Sequence, residues 1–393
     1  MKRLMIVGAS VLQLPAIIKA KEMGSYVGVV DYNPKAIGIA YADEYYNEST
    51  MDENAVLKAA EKFKPDGIMT LATDMPMRGV AKASQQLGLH SISYDTAVKA
   101  TDKFEMIKAF KEYGVSSPWY YLIGNKNDLY SLKEKLEYPC IIKPTDNAGS
   151  HGVAKINSFE ELLEQYEYSR SNSRHGNVII EEFLNGPEVS VEIMVVDNVV
   201  NVLQITDKLT TGAPYFVEMG HSQPTQFSPQ VKEQIIQVAQ KACEAVGINV
   251  GPAHVEMKIT NRGPVMVELG ARMGGDNITT HLVPLSTGVD MVEATIEAAL
   301  GIKPDVTIKK SYGSAIRYFD VPCGIIKSIR GINEAQLLPG VVQITFTKEV
   351  GENANNIQCS NDRIGFVIAQ AETSEKAVEI CEKAMRIIKI EIQ

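Results

Sequence analysis

The chain has little of what a disulfide-stapled, membrane-spanning or nucleic-acid-binding protein needs. Its 393 residues hold five cysteines, Cys140, Cys243, Cys323, Cys359 and Cys381. They are dispersed, odd in number and never spaced CxxC. That excludes a disulfide framework, argues against a zinc site, and fits core thiols in a reducing cytoplasm. No apolar run approaches the roughly 20 residues that cross a bilayer, so no membrane span is expected. The N-terminal MKRLMIVGAS starts basic, but its apolar stretch is short and leads into a strand and turn, unlike a signal peptide. Positive charge does not prevail: 39 Lys and Arg against 48 Asp and Glu leave a net charge of −9. Such a balance argues against nucleic acid or an anionic membrane as a partner. Repeats, low-complexity tracts and flexible linkers are missing too. What is there is ordinary for a globular chain, 45% hydrophobic and 22% charged, and long enough for two or three closely packed domains.

Two familiar nucleotide signatures are also absent. Residues 2–7 read as a strand breaking at Gly8-Ala9-Ser10, followed by a helix through Leu12, Ala16, Ile17, Ala20 and Met23 and a strand from Tyr26 to Asp31. This βαβ unit lacks G-x-G-x-x-G, which weakens a dinucleotide assignment. Further units follow, with helices at 52–64 and 76–87 and a strand from Asp66 to Leu71, giving a Rossmann-like parallel-sheet domain. Gly8, Ser10, Asp31 and Asp74 stand at strand ends, where such sheets bind ligands, or serve as plain turn and cap residues. The second missing signature is the GxxxxGK[ST] loop. In its place a buried strand, Cys140 to Ile142, delivers Lys143 to the glycine-containing segment 146–152, which suits phosphates. Lys103 lies in the first turn of a helix capped by Asp102, where the helix dipole favours acids.

The stretch 254–276, HVEMKITNRGPVMVELGARMGGD, carries the most chemistry. Val255, Met257 and Ile259 alternate with polar residues. Val265, Val267 and Leu269 do the same after a turn at Asn261-Arg262-Gly263, so a hairpin with one apolar face is expected. A loop centred on Arg262 puts Glu256 opposite Glu268, with Cβ atoms roughly 4.5–5.5 Å apart. Two solvated acids, a shared proton, a cationic partner or a bound metal all satisfy that geometry. Arg272 and the amide-rich Gly274-Gly275-Asp276 follow and suit an anion, which makes a phosphoryl-transfer site the sharper hypothesis. Upstream, Glu181-Glu182-Phe183-Leu184 ends a strand whose backbone an adenine edge can use, and Glu188 can accept from ribose hydroxyls. Residues 205–224 read as a loop carrying Lys208, Glu218 and His221 near a cleft. From about 305 short strands and a terminal helix, Glu375 to Ile388, form a small α+β unit, in which Arg317 and Arg330 can reach an anion.

Taken in order, Asp102-Lys103, Lys143 with its glycine loop, Glu181 to Leu184 with Glu188, Glu256, Glu268 and Arg272 resemble the ATP-grasp superfamily, specifically the carboxylate–amine ligases. That resemblance implies an α/β and α+β chain. Its expected parts are an N-terminal Rossmann-like domain (1–98), an ATP-grasp domain (99–304) and a small C-terminal lid or subdomain (305–393). It implies ATP and Mg²⁺, or Mn²⁺, as cofactors, and small carboxylate and amine molecules as substrates. Lys103 and Lys143 would then hold phosphates beneath a loop containing Ser150 and Gly152. Glu181, Glu182 and Leu184 would meet adenine, Glu188 the ribose, and Glu256 and Glu268 the metal. Arg272 would act with Lys143 on the transferred phosphoryl group and His221 on the amine. Glu218, His221, Arg272, Gly274 and Gly275 would face the substrates. The EMGH and GARMGGD segments look most like the L-amino-acid ligases; phosphoribosylglycinamide synthetase, its formate-dependent relative and carboxylases working through carboxyphosphate are the alternatives. Many family members have an asparagine metal ligand two residues after the second glutamate, where this chain has Gly270. Many are also homodimers.

Overall fold

In this computed structural model, which describes residues 1–147 and 151–393, the apolar alternations of the sequence become strands of several sheets. Glu44–Tyr46, Tyr26–Val30, Arg3–Val7 and Gly67–Met69 lie side by side, all parallel. Helices Leu14–Glu22, Glu53–Phe63 and Met77–Leu87 accompany them. Glu44–Tyr46 was not legible as a strand, because three residues carry no period. Asp31 is buried and accepts from the Ala9 N–H at 2.8 Å and the Asn33 N–H at 2.9 Å, tying two strand ends together.

The strand Glu188–Val196 explains how the large sheet is built. Val189, Val191, Ile193 and Val195 enter one core with Val255, Met257 and the helix Pro229–Val246. Met194 and Val196 face the opposite side and pack against Leu4, Ile6 and Val27 of the parallel sheet. A strand covered on both faces buries nearly every side chain, each large aliphatic one contributing about 1.5–3 kcal/mol. Only Ser190 and Glu192 break this apolar run, and they sit behind the site described below. Helix Pro229–Val246 is framed by its own ends: Ser228 accepts from the Val231 N–H, Pro229 opens the first turn, and Gly247 closes it at φ +90°.

Eight strands form that sheet, in the order Gly263–Gly270, Gly251–Thr260, Glu188–Val196, Val199–Thr210, Glu218–Gln223, Gly313–Tyr318, Gly365–Ala371 and Val341–Phe346. The last three come from the C-terminal segment, so the sheet runs across residue 305. A smaller antiparallel sheet, Tyr120–Ile123, Val178–Glu182, Cys140–Pro144 and Ala154–Ile156, faces it. The cleft between the two sheets measures about 1380 Å³.

Three expectations are corrected here. Residues 205–224 are not one loop: Val199–Thr210 and Glu218–Gln223 pair, with Lys208 opposite His221, and only 211–217 connects them. Glycine and proline concealed the strands, because their polar residues face the cleft. The cysteines are not all core: Cys140, Cys243 and Cys381 are buried, whereas Cys323 is exposed and Cys359 half-buried. Burial pushes the Cys140 thiol up to about 12. Finally, helix Ser374–Ile387 is followed by a further strand, Lys389–Ile392. Among the described residues no helix is long and apolar enough to cross a membrane.

Gly313 seats that last helix on the sheet, because a Cβ there would lie 1.9 Å from the Thr373 carbonyl carbon and 2.3 Å from the Ser374 nitrogen. Gly313→Ala is expected to destabilise the protein by roughly 1–3 kcal/mol through overpacking. A urea midpoint unchanged from wild type would refute the close approach.

Candidate active site

The hairpin forms as Gly251–Thr260 and Gly263–Gly270, and it places Glu256 directly opposite Glu268. Its turn is one residue shorter than the symmetric loop, pairing Thr260 with Gly263, and a bulge beside Met257 restores the register. The bulge also changes which side chain is inside. Met266 pairs with Met257 and joins the core, whereas Val267, expected inside, is only half-buried and lines the cleft.

Neither carboxylate is left as a bare charge. Glu268 sits 3.1 Å from the Lys103 ammonium, and Glu256 sits 3.1 Å from Lys208 and 3.0 Å from the His254 Nε2. Lys103 holds the Glu268 carboxyl below the usual range. Burial opposes ionisation of Glu256, but Lys208 and His254 together hold it well below that range. Lys103 also donates to the Asn147 carbonyl at 2.8 Å, which ties the glycine segment to the hairpin. The expected loop residue Ser150 lies outside the described residues. Gly152 is described at φ +80°, where a Cβ would lie 2.7 Å from the Asn172 Cβ.

Lys143 points into the same cleft and meets Glu181 at 2.6 Å, both being about nine-tenths buried. Glu182 turns to Arg262 at 2.5 Å, and its N–H donates to the Trp119 carbonyl. Leu184 lines the cleft beyond the strand end. Glu188 binds Lys208 at 2.5 Å and Lys258 at 3.1 Å, and Glu218 stands 3.5 Å from Lys208. Lys208 is thus a buried hub for three glutamates. Burial opposes its charge, but Glu256, Glu188 and Glu218 raise its pKa well above the ordinary lysine value.

Arg272 is held by Asp74 of the parallel-sheet unit in a two-point fork, Nε–Oδ1 and Nη2–Oδ2 both at 3.0 Å. This pair explains Gly270, since a Cβ there would lie 2.6 Å from the Asp74 Oδ1 and 3.0 Å from the Arg272 Nε. A larger residue at this position would have to displace that fork. Gly274 is glycine for a parallel reason, its Cβ position being 2.7 Å from the His254 Nδ1 and 2.8 Å from the Glu192 Oε2. Gly275 has open space around it.

His221 is almost wholly buried. Its Nε2 stands 3.3 Å from the Asp276 Oδ2, while its Nδ1 has no hydrogen-bond partner among the described residues. Asp276 is in turn forked by Arg363, at 2.7 Å on each oxygen. Burial opposes the charge on Asp276, but Arg363 and His221 hold its carboxyl well below the usual range. The arginines expected to reach an anion are otherwise engaged: Arg317 donates to the His221 and Ile316 carbonyls, and Arg330 is exposed against Glu391.

Sequence reasoning missed Arg363, Glu192 and His254. Glu192 is fully buried, and both its oxygens lie 3.0 Å from the His254 Nδ1. His254 was findable: it shares the polar face of its strand with Glu256 and Lys258. No local pattern links Arg363 to Asp276, 87 residues away.

A family model described as "ATP-grasp domain" matches residues 136–281, and one described as "L-amino acid ligase C-terminal domain 2" matches 317–393. Alanine–anticapsin ligase of Bacillus subtilis (strain 168) is 28% identical over 306 residues, 72% of this chain. The match spans 63% of that relative's length. Among solved structures, an L-amino acid ligase from Bacillus licheniformis superposes with a TM-score of 0.85 at 23% identity, covering 100% of this chain and 99% of that one. A phosphoribosylglycinamide synthetase from Anaerococcus prevotii gives 0.82 at 25% identity, over the whole of both chains.

The Glu192–His254–Glu256 chain makes stability depend on pH. Burial opposes protonation of His254, but Glu192 and Glu256 raise its pKa from 6.5 to about 9. A raised folded-state value stabilises the protein fully below about 6.5, and that stability is lost as pH climbs through about 9. The melting temperature of the ligand-free protein is therefore expected to fall between pH 7 and 9.5. Glu192→Gln should flatten that fall, and an identical pH profile in the variant would contradict the assignment.

Proposed function

We propose, from the premise that the chain belongs to the ATP-grasp superfamily, that it is an ATP-dependent carboxylate–amine ligase acting on amino acids. The observation that carries this reading is the opposed pair Glu256 and Glu268 on the floor of a cleft whose other wall presents Lys143. Two hard carboxylate oxygen donors, each already attracting an ammonium, fit a small divalent cation; Mg²⁺ and Mn²⁺ both suit them. Among the described residues no group of three or more metal-ligating side chains occurs, so phosphate oxygens and water would complete the coordination. Glu256 and Glu268 would hold the metal, which when bound supplies charge neutralisation on the triphosphate.

The residues of the chain then divide the work. The Leu184 end of its strand receives the adenine, next to Glu181 and Glu182, and Glu188 accepts from the ribose. Lys103 and Lys143 turn from their carboxylates to the phosphates. A substrate carboxylate attacks the γ-phosphorus, the bond to the β-phosphate oxygen breaks, and ADP leaves an acyl phosphate. Arg272, fixed by Asp74, suits the oxygens of the transferred group, with the Gly274–Gly275 backbone beside it. The amine then attacks the acyl carbon and phosphate departs. Among the described residues His221 has one ring nitrogen engaged by Asp276 and one without a partner, an arrangement that suits orienting a substrate or taking up a proton in the cleft, with Glu218 alongside.

One observation favours this reading over a phosphoribosyl substrate. At the C-terminal end of the cleft Arg363 is forked on Asp276, and Arg317, whose Nη1 donates to main-chain carbonyls, does not line the cleft among the described residues.

Glu268→Ala is expected to lower ADP release at least about 100-fold, roughly 2.7 kcal/mol of barrier, without altering far-UV circular dichroism. Turnover at the wild-type rate would remove the metal role. ATP with Mg²⁺ should raise the melting temperature and NAD should not. A screen of amino-acid pairs for ADP release should find substrates; release only with phosphoribosylamine and glycine would favour the purine alternative.

A further inference from the structure

A second, smaller cavity of about 260 Å³ adjoins the main cleft. The two share Lys103, Asn147 and Glu268, so the Lys103–Glu268 ion pair forms part of the wall common to both. The rest of the small cavity is gathered from distant parts of the chain. Arg78 comes from the helix Met77–Leu87 of the parallel-sheet unit, and Arg174 from the turn after helix Phe159–Ser171 in the arm that carries the glycine segment.

These two arginines differ from the cations of the main cleft. Lys103, Lys143, Lys208 and Arg272 are each held by a carboxylate. Arg78 donates its Nε to the Thr101 hydroxyl at 2.7 Å, and Arg174 meets the Met75 sulfur at 2.6 Å. Among the described residues neither has a carboxylate partner within ion-pair distance. The carboxylates lining this cavity are committed elsewhere: Asp74 to Arg272, Glu268 to Lys103, Glu53 to Lys82 and the Tyr94 hydroxyl. Asp146 accepts from the Arg174 and His175 N–H groups at 3.1 Å. Burial lowers the pKa of the Arg174 guanidinium and Arg78 repels it further, against the pull of Asp146. Half-buried Arg78 and exposed Arg174 line one small cavity without a carboxylate partner of their own among the described residues, an arrangement that suits an oxyanion.

We propose that this cavity binds the α-carboxylate of the amine-bearing amino acid, clamped between Arg78 and Arg174. The inference rests on the ligase reading given above and adds to it the class of the amine substrate and its place. An amino acid anchored there carries its amino group two bonds from the carboxylate carbon, in a cavity that shares the Lys103–Glu268 wall with the cleft. The cavity is large enough for a small amino acid.

Arg78→Gln and Arg174→Gln are the test, with calorimetric binding of L-amino acids in the presence of a non-hydrolysable ATP analogue and Mg²⁺ alongside steady-state kinetics. Each variant is expected to raise the Kd and KM of the amine-bearing amino acid by about 10- to 100-fold, the loss of one charge-assisted fork, while the KM for ATP stays within about twofold. The wild type should reject the same amine without its carboxylate, for example ethylamine in place of alanine. Unchanged amino-acid affinity in both variants, or ethylamine used as well as alanine, would overturn the proposal and leave the ligase reading standing. Amino-acid binding lost in the variants, in a protein that forms no amide, would remove the ligase reading and keep the clamp. Binding of ribose 5-phosphate through the same arginines, with no amino acid bound, would overturn the clamp's assignment to an amino acid.

Discussion

Two glutamates facing each other across a β-hairpin are the constraint to which the site answers. At about 5 Å and an effective dielectric of about 20, such a pair repels by roughly 3 kcal/mol. Lys103 and Lys208, each about 3.1 Å from one of them, oppose that with attractions of roughly 5 kcal/mol apiece before desolvation. The lysines are themselves buried and would be costly alone. Each charge is thus tolerated only because of its neighbours, and the network extends through Glu188, Glu218 and His254 to the fully buried Glu192. Networks of this kind give a unique geometry more than net stability.

The network is held from three sides. Asp74 reaches out of the parallel-sheet unit to fix Arg272, and Arg363 reaches from the C-terminal segment to fix Asp276. The Lys103 backbone and side chain bind the carbonyls of Thr145 and Asn147 at the entrance to the glycine segment. Glu256, Glu268, Lys143 and Lys208 therefore sit on strands, while the groups around them are oriented by residues from other parts of the chain. That division explains why the large sheet takes strands from both sides of residue 305.

Much of this was readable in the chain. The alternation of Val255, Met257 and Ile259 around a turn at Arg262 was enough to set Glu256 against Glu268, because strand period and turn position together fix register. The capping residue Asp102 marked a helix start for the same local reason. What escaped has one cause: it depends on distance in the chain rather than spacing. The bulge that exchanges Val267 for Met266 is set by how the sheet packs. Lys208 and His221 lie on paired strands disguised by the glycine and proline of their connection. Arg363 and Glu192 are defined only by what they meet, 87 and 62 residues away.

Gly270 carries a consequence for the arginine beside it. A Cβ added at 270 would meet only side-chain atoms, the Asp74 Oδ1 at 2.6 Å and the Arg272 Nε at 3.0 Å. A larger residue there would be accommodated by moving the fork and not the backbone. The cost of substituting Gly270 therefore falls on the aim of Arg272, a side chain whose bearing is set from another part of the chain.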